Sequence, residues 1–332
     1  MKKYALLTLL FCYEARAQNN FVQFYSNPLL SNPANTGRFN RNFRIAGGVR
    51  SEINAVSAYN QSTISADSKI LNSLVPENDC FAIGISALNE RSIGEGIKND
   101  YLSVSLAYQK GLDYDGEQQI GVGFQTTFGH KRIEHFPYVF ENQLNFWINN
   151  GFYNIDFQQL TNVDFSYFDL NVGVVYQGKI NPANFFSVSA TLHHANRPNE
   201  LVQGGKFILK RQYGGHIAWE NRPSEQKKIY SFIKFSLQKK NEDFLGGIIY
   251  QSNISSKNYE LNFGGSFRKS YMNGEFLIPV VGFRFWQLVL NMSYDINVSV
   301  KNTGRKGASE ITLFYTTAST RQKFLENKFI LY

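Results

Sequence analysis

Apolar and small polar residues alternate with a period of two from Phe43 to Tyr315, and this pattern constrains the 332-residue chain more than any single motif. In Gln119–Phe128, Ile120, Val122, Phe124 and Phe128 share one face, while Gly121, Gly123, Gln125 and Thr127 share the other. The pattern returns as Leu170, Val172, Val174 and Tyr176 against Asn171, Gly173 and Gln177, and as Phe186, Val188, Ala190 and Leu192 against Ser187, Ser189, Thr191 and His193. It recurs in Tyr259, Leu261, Phe263 and Phe267 against Glu260, Asn262, Gly264 and Ser266. Successive side chains of a strand point to opposite faces, so each segment has one greasy, aromatic face and one small, polar face.

A soluble β-sandwich also alternates, so strand length decides between the two readings. Sandwich strands are usually about 5 or 6 residues long, whereas these approach the roughly 9 to 11 residues with which a tilted strand crosses a bilayer. Aromatic residues make up 15% of the chain, with 29 Phe and 19 Tyr, and Tyr101, Tyr108, Tyr176, Tyr259 and Tyr294 fall near strand ends, as in interfacial girdles. Mean hydropathy of −0.31 fits, because half of each strand and the loops are polar. No run of about eighteen apolar residues follows the N-terminal stretch, and without a spanning helix only a closed barrel satisfies every backbone group in lipid.

The predicted fold is therefore all-β, a transmembrane outer-membrane β-barrel of about fourteen antiparallel strands over 42–317. The strands are placed at 42–53, 57–68, 81–90, 100–109, 118–130, 168–179, 184–193, 211–220, 229–239, 244–253, 259–269, 278–285, 287–297 and 307–317. With both barrel ends in the periplasm, the long connections 131–167 and 194–210 point outward. Segment 131–167 carries Phe136, Phe140, Phe146, Trp147, Phe152, Tyr153, Phe157 and Phe165, which suits either a lumen plug or a docking surface.

Residues 1–17 read as a signal peptide: Lys2 and Lys3, an apolar run from Tyr4 to Tyr13, and a small-x-small site at Ala15–Ala17. Cys12 follows Phe11, where lipid modification requires a small residue. Cleavage near Ala17 removes Lys2, Lys3, Arg16 and Glu14, lowering the formal charge from +8 to +6. A basic exported chain points to anionic lipid or acidic protein surfaces, and no nucleic-acid module is visible. Only Cys80 remains, so no intramolecular disulfide can form. The tail 318–332 reads either as a periplasmic arm or, over Lys323–Tyr332, as the closing strand.

Between signal and barrel lies an N-terminal Asn-Pro-rich segment, 18–41. Its centre is Gln23-Phe24-Tyr25-Ser26-Asn27-Pro28-Leu29-Leu30-Ser31-Asn32-Pro33-Ala34-Asn35-Thr36-Gly37. Two Asn-Pro pairs and a glycine imply an extended, turning backbone that is neither helix nor inner strand. Phe24, Tyr25, Leu29 and Leu30 need apolar cover, so the segment is expected to tuck into the base or lumen of the barrel, or to dock a periplasmic partner.

This stretch resembles the N-terminal signature of the PorP/SprF family of outer-membrane proteins. Five further pieces resemble the family in the same order: Asn42–Arg44 with Ala58–Asp67 as a first hairpin, Ser166–Gly173, Leu192–Asn199, and two closing strands. The last are Met292–Ser299, with Tyr294, Asp295, Asn297 and Ser299, and Gly307–Leu313, with Glu310. The resemblance implies a component of the type IX secretion system and gliding motility of Bacteroidetes. It implies outer membrane lipid as surroundings, with secreted surface adhesins, other type IX components and a periplasmic peptidoglycan-linked protein as partners. Export and surface anchoring are both compatible with it, and a diffusion porin or small-solute channel is the rival function.

Nothing in the sequence calls for catalysis, a cofactor or a metal. His193 and His194 are adjacent on a strand, point to opposite faces and read as a locally hydrogen-bonded loop-end pair. Ser189 and His193 share a face without a Gly-x-Ser-x-Gly elbow. Glu260, Asp295 and Glu310 on the polar face suit either a solvated lumen or a charge network with Arg44, Arg211 or Arg284 as partners.

Overall fold

The computed structural model describes residues 21–39, 41–54, 58–71, 73–93, 96–134, 163–202, 205–239, 241–254, 259–270, 274–299 and 305–317. Residues 1–20, most of the connection between the fifth and sixth strands and the tail from 318 lie outside these residues.

Fourteen antiparallel strands close into one barrel, each matching one of the fourteen sequence-derived strands. They are β1 (Phe43–Asn54), β2 (Ala58–Ile70), β3 (Cys80–Ile93), β4 (Ile97–Gly111), β5 (Gln118–Ile133), β6 (Val163–Asn181) and β7 (Asn184–His193). The second half comprises β10 (Gln212–Ser224), β11 (Lys227–Gln238), β12 (Asn241–Asn253), β13 (Tyr259–Ser270), β14 (Gly274–Phe285), β15 (Leu288–Asn297) and β16 (Arg305–Thr316). Every barrel strand pairs with its neighbour along the chain, and β1 closes the sheet on β16, from Arg44 opposite Thr316 to Glu52 opposite Ala308.

Two details refine the sequence reading. β1 is flanked by β2 and β16, so among the described residues the barrel closes on β16, and Lys323–Tyr332 lies outside those residues. Within the connection 194–210, β8 (Asn199–Val202) and β9 (Gly205–Ile208) form a separate two-stranded ribbon. Strand β5 also runs on to Ile133 and β6 starts at Val163, so Phe165 belongs to a strand, while Phe136, Phe140, Phe146, Trp147, Phe152, Tyr153 and Phe157 lie outside the described residues.

The alternation maps directly onto the wall. Ile64, Leu102, Phe124, Phe168, Ile217 and Ile248 face outward, and Gln61, Ser105, Gln125, Asn171, Ser187 and Thr312 face the lumen. A soluble protein would hide the first group; here the outward face is apolar because lipid is its solvent. Tyr108, Tyr259 and Tyr294 lie on this outward face, but Tyr101 points into the lumen, where it lines a cavity. Its strand position suited a girdle, but its parity does not: on β4 the outward residues are Leu102, Val104 and Leu106.

Replacing outward Phe124 with Arg puts a charge into the apolar band, and we expect a loss of about 2–4 kcal/mol if its depth is near the midplane. Equilibrium unfolding from vesicles checks this. The lumen-facing control Thr127→Ser should lie within about 0.5 kcal/mol of wild type.

Candidate functional site

The N-terminal segment lies inside the barrel. From Phe21 to Phe39 nearly every residue is buried, and its cover is the lumen wall. Each Asn-Pro pair begins a short helical turn: α1 (Pro28–Ser31), then a 3-10 turn over Pro33–Asn35. The sequence reading excluded helix here, yet each proline occupies the first turn, where its missing N–H costs nothing and its fixed φ is already helical. Asn32 precedes Pro33 and is extended, with φ −159° and ψ 123°, so α1 cannot continue; its side chain accepts a hydrogen bond from Ala34 N at 2.8 Å.

Two arginine–carboxylate pairs, both built on β1, hold the segment at its two ends. Arg50 lies directly across the closing seam from Glu310. Its guanidinium reaches Glu310 Oε2 at 3.2 Å and Asp295 Oδ2 at 2.5 Å, and all three side chains are buried. The Glu310 carboxylate also accepts two consecutive backbone N–H groups, Val22 N at 2.8 Å and Gln23 N at 2.9 Å. Successive main-chain N–H groups cradling an anion form strong charge-assisted bonds. Gln23 completes this end by donating to Ser293 Oγ at 3.0 Å and accepting from Thr312 Oγ1 at 2.8 Å.

At the other end Arg44 forks onto Asp67, its neighbour across β1 and β2, at 2.8 and 2.6 Å. Asp67 Oδ2 accepts from Gly37 N at 2.8 Å, and Arg44 donates to Asn35 O at 3.0 Å. Gly37 has φ +72°, and a Cβ there would lie 2.2 Å from Ala82 Cβ, so glycine is required on both counts.

Between these anchors the segment follows a bed of small residues. Asn32 donates to the carbonyls of Val174 and Ala190 at 3.2 and 3.4 Å. A Cβ on Gly173 would lie 1.9 Å from Asn32 Oδ1, and one on Gly123 would lie 2.3 Å from Ala34 N. Gln109 and Gln125 donate to the carbonyls of Ala34 and Leu29 at 2.6 and 3.3 Å. Phe24 and Tyr25 pack against Phe232 and Tyr230 with ring centroids 5.2 to 6.2 Å apart, in an apolar cluster that includes Val22, Phe185 and Ile278. Leu29 is buried against the wall, Leu30 and Ser31 face a cavity on the far side, and Asn27 is buried beside Gly48.

The structure thus gathers Gln23, Asp295 and Glu310 at one anchor and Gly37 at the other. Tyr294 faces outward, and Asn297 and Ser299 form a rim turn in which Glu275 N donates to Ser299 Oγ at 2.7 Å. Of the charge partners expected from sequence, Arg284 does approach Glu260, at 3.0 Å. Asp295 and Glu310 pair instead with Arg50; Arg44 takes Asp67, and Arg211 donates to Ala195 O. Arg50 has lumen parity on β1, and this was the signal that could have found it.

His194 Nδ1 lies 2.8 Å from Asp169, while Ser189 bonds His216, at 2.7 Å, and not His193. His216 sits on the strand paired with that of Ser189, and cross-strand neighbours meet more closely than same-face residues along one strand. Among the described residues no group of three or more His, Cys, Asp or Glu is arranged to hold a metal ion.

A family described as type IX secretion system membrane protein PorP/SprF matches residues 14–315. The chain belongs to this family. The fold and the membership place this PorP/SprF protein in the outer membrane. No curated protein sequence matches it. Among solved structures it is similar to the CymD monoaromatic hydrocarbon channel, at 10% identity and TM-score 0.52 over 92% of this chain and 95% of that one. The Ralstonia pickettii toluene transporter TbuX aligns at 10% identity and TM-score 0.53, covering 87% and 93%. The Pseudomonas putida toluene transporter TodX aligns at 9% and 0.52, covering 87% and 92%. At these identities the likeness is one of fold.

Glu310→Ala should cost about 3–5 kcal/mol, because it removes the main partner of two segment N–H groups and one partner of buried Arg50. Gly173→Val should lift Asn32 off the wall without removing a charge. In a Cys80→Ala background, Ser26→Cys should react with maleimide at least about tenfold faster when either substitution is present; unchanged labelling would disprove the anchoring roles.

Proposed function

We propose that this barrel is a non-enzymatic, protein-binding component of the type IX secretion machine. It holds secreted adhesins or periplasmic machine components for export or surface anchoring. The observation that carries this reading is the lumen: the chain's own N-terminal segment occupies it, held by Arg50–Glu310 and Arg44–Asp67. A barrel that gives its interior to a tightly bonded segment works as a scaffold more readily than as a conduit. The connections at the rim opposite the β1 entry, including the β8–β9 ribbon, supply surface for partners, and the turns at the β1 end face the periplasmic components.

The rival reading, a small-solute channel, draws on the printed names of CymD, TbuX and TodX, a hydrocarbon channel and two toluene transporters. The lumen chemistry of this chain argues against a hydrocarbon route, because Gln61, Ser105, Gln125, Asn171 and Thr312 present amides and hydroxyls inward.

Affinity purification of the tagged protein from native outer membranes should recover at least one secreted or periplasmic protein, and recovery of none would overturn the reading. In planar bilayers the wild type should be closed, whereas a variant lacking residues 21–39 should conduct. Steady large conductance of the wild type would favour the channel.

A further inference from the structure

Strand β14 carries Pro279 at its middle, where a paired strand ordinarily excludes proline because it cannot donate to the ladder. On the β13 side pairing is continuous, from Tyr259 opposite Phe285 to Ser270 opposite Gly274. On the β15 side Leu277 pairs with Ile296 and Val280 with Ser293, but Ile278 and Pro279 drop out between them. The register is the same above and below, so the interruption is a missing N–H and not a bulge. The carbonyl of Tyr294, opposite Pro279, has no donor at that position. The barrel's other ladder irregularities lie towards strand ends, at Ile53–Asn54, Lys179–Asn181 and Asn221–Ser224.

Both faces of the wall are apolar at this break. Outside, Leu277, Pro279 and Val281 face lipid; inside, Phe276, Ile278 and Val280 are buried. Phe276 and Ile278 share an apolar cluster with Val22, Phe24 and Tyr25 of the N-terminal segment. Lipid and apolar side chains offer no hydrogen bond in place of the one that Pro279 removes. Side-chain links tie the neighbouring strands on either side: Arg50 of β1 to Glu310 on β16 and Asp295 on β15, and Arg284 of β14 to Glu260 on β13. The polar links that cross the β14–β15 seam flank the break. Glu275 N donates to Ser299 Oγ at one rim, and Asn262 donates to Asn291 over Gly282 at 3.4 Å on the other side.

From this arrangement we infer that the β14–β15 seam is a lateral opening in the barrel wall, which parts within the membrane at Pro279 and is held shut from inside by the N-terminal segment. The segment bridges the two sides of the seam. Gln23 donates to Ser293 Oγ on β15 at 3.0 Å, and Glu310, which accepts from Val22 N and Gln23 N, shares Arg50 with Asp295. The apolar side chains of Val22, Phe24 and Tyr25 belong to the cluster that covers β14. When the segment loosens, Ile278 loses cover and the seam loses its inner brace. Parting there puts apolar side chains into lipid, whereas parting along a polar wall would put amides and hydroxyls there. The device is independent of the protein-binding reading, since a scaffold and a channel could each use it.

The test uses the full-length protein in lipid vesicles. In native-state hydrogen exchange of the wild type, amides of β15 should exchange about tenfold faster than those of β13, whose ladders are continuous on both sides. Tenfold is the change that one net hydrogen bond of about 1.4 kcal/mol gives. In a Cys80→Ala background, Ile278→Cys should react with pyrene maleimide dissolved in the bilayer about tenfold faster than Leu245→Cys. Leu245 is a similarly buried residue of β12, between continuous ladders. Adding Pro279→Val restores the donor and should bring the Ile278→Cys rate down to that of Leu245→Cys, and adding Glu310→Ala should raise it. Heat-modifiable migration reports that each variant is folded, and the exchange comparison stands on the wild type alone. Equal exchange of β13 and β15, equal labelling at the two cysteines, or labelling indifferent to Pro279→Val would overturn the lateral opening. Labelling indifferent to Glu310→Ala would overturn the segment's part in closing it.

Discussion

The buried carboxylate of Glu310 is the interaction on which most of the interior depends. It faces Arg50 across the β1–β16 seam that closes the barrel, and it accepts the backbone N–H groups of Val22 and Gln23. One side chain thus links closure of the sheet to placement of the segment that fills it. A carboxylate so deeply buried is tolerable only when its oxygens are supplied with donors, and here the arginine and two consecutive N–H groups do so. Asp67 repeats this arrangement at the other end with Arg44 and Gly37. Strand β1 therefore carries both arginines, and the segment that precedes it in sequence folds back beside it.

Local chemistry and tertiary packing meet in the two Asn-Pro pairs. Each proline starts a helical turn, and the second ends the first by forcing Asn32 to be extended. The result is a compact, kinked segment whose polar atoms point in several directions, suited to a lumen that offers carbonyls, amides and carboxylates on all sides. Glycines on the polar face of the strands make room for it. At Gly123 and Gly173 the wall meets the backbone and side chain of the segment so closely that no Cβ fits.

The fold was legible because a membrane barrel imposes one repeated rule on nearly every residue. Outward positions meet lipid and inward positions meet polar groups, so parity alone separated Phe124 and Leu170 from Gln125 and Asn171. The rule gave fourteen strands, each of which corresponds to one in the barrel. It was weaker where a residue type suits both faces. Tyr101 resembled an interfacial tyrosine but points inward, and parity with its neighbours Leu102 and Val104 decides the matter.

Sequence by itself determined the alternation, the absence of a spanning helix, the family signature and the presence of charges on the polar face. Only the tertiary structure decided which charges meet. Arg50 and Glu310 are 260 residues apart in sequence, and their pairing follows from the register of the closing seam, which no local pattern encodes. Period-two alternation fixes the face on which a side chain lies; barrel closure fixes what stands opposite it.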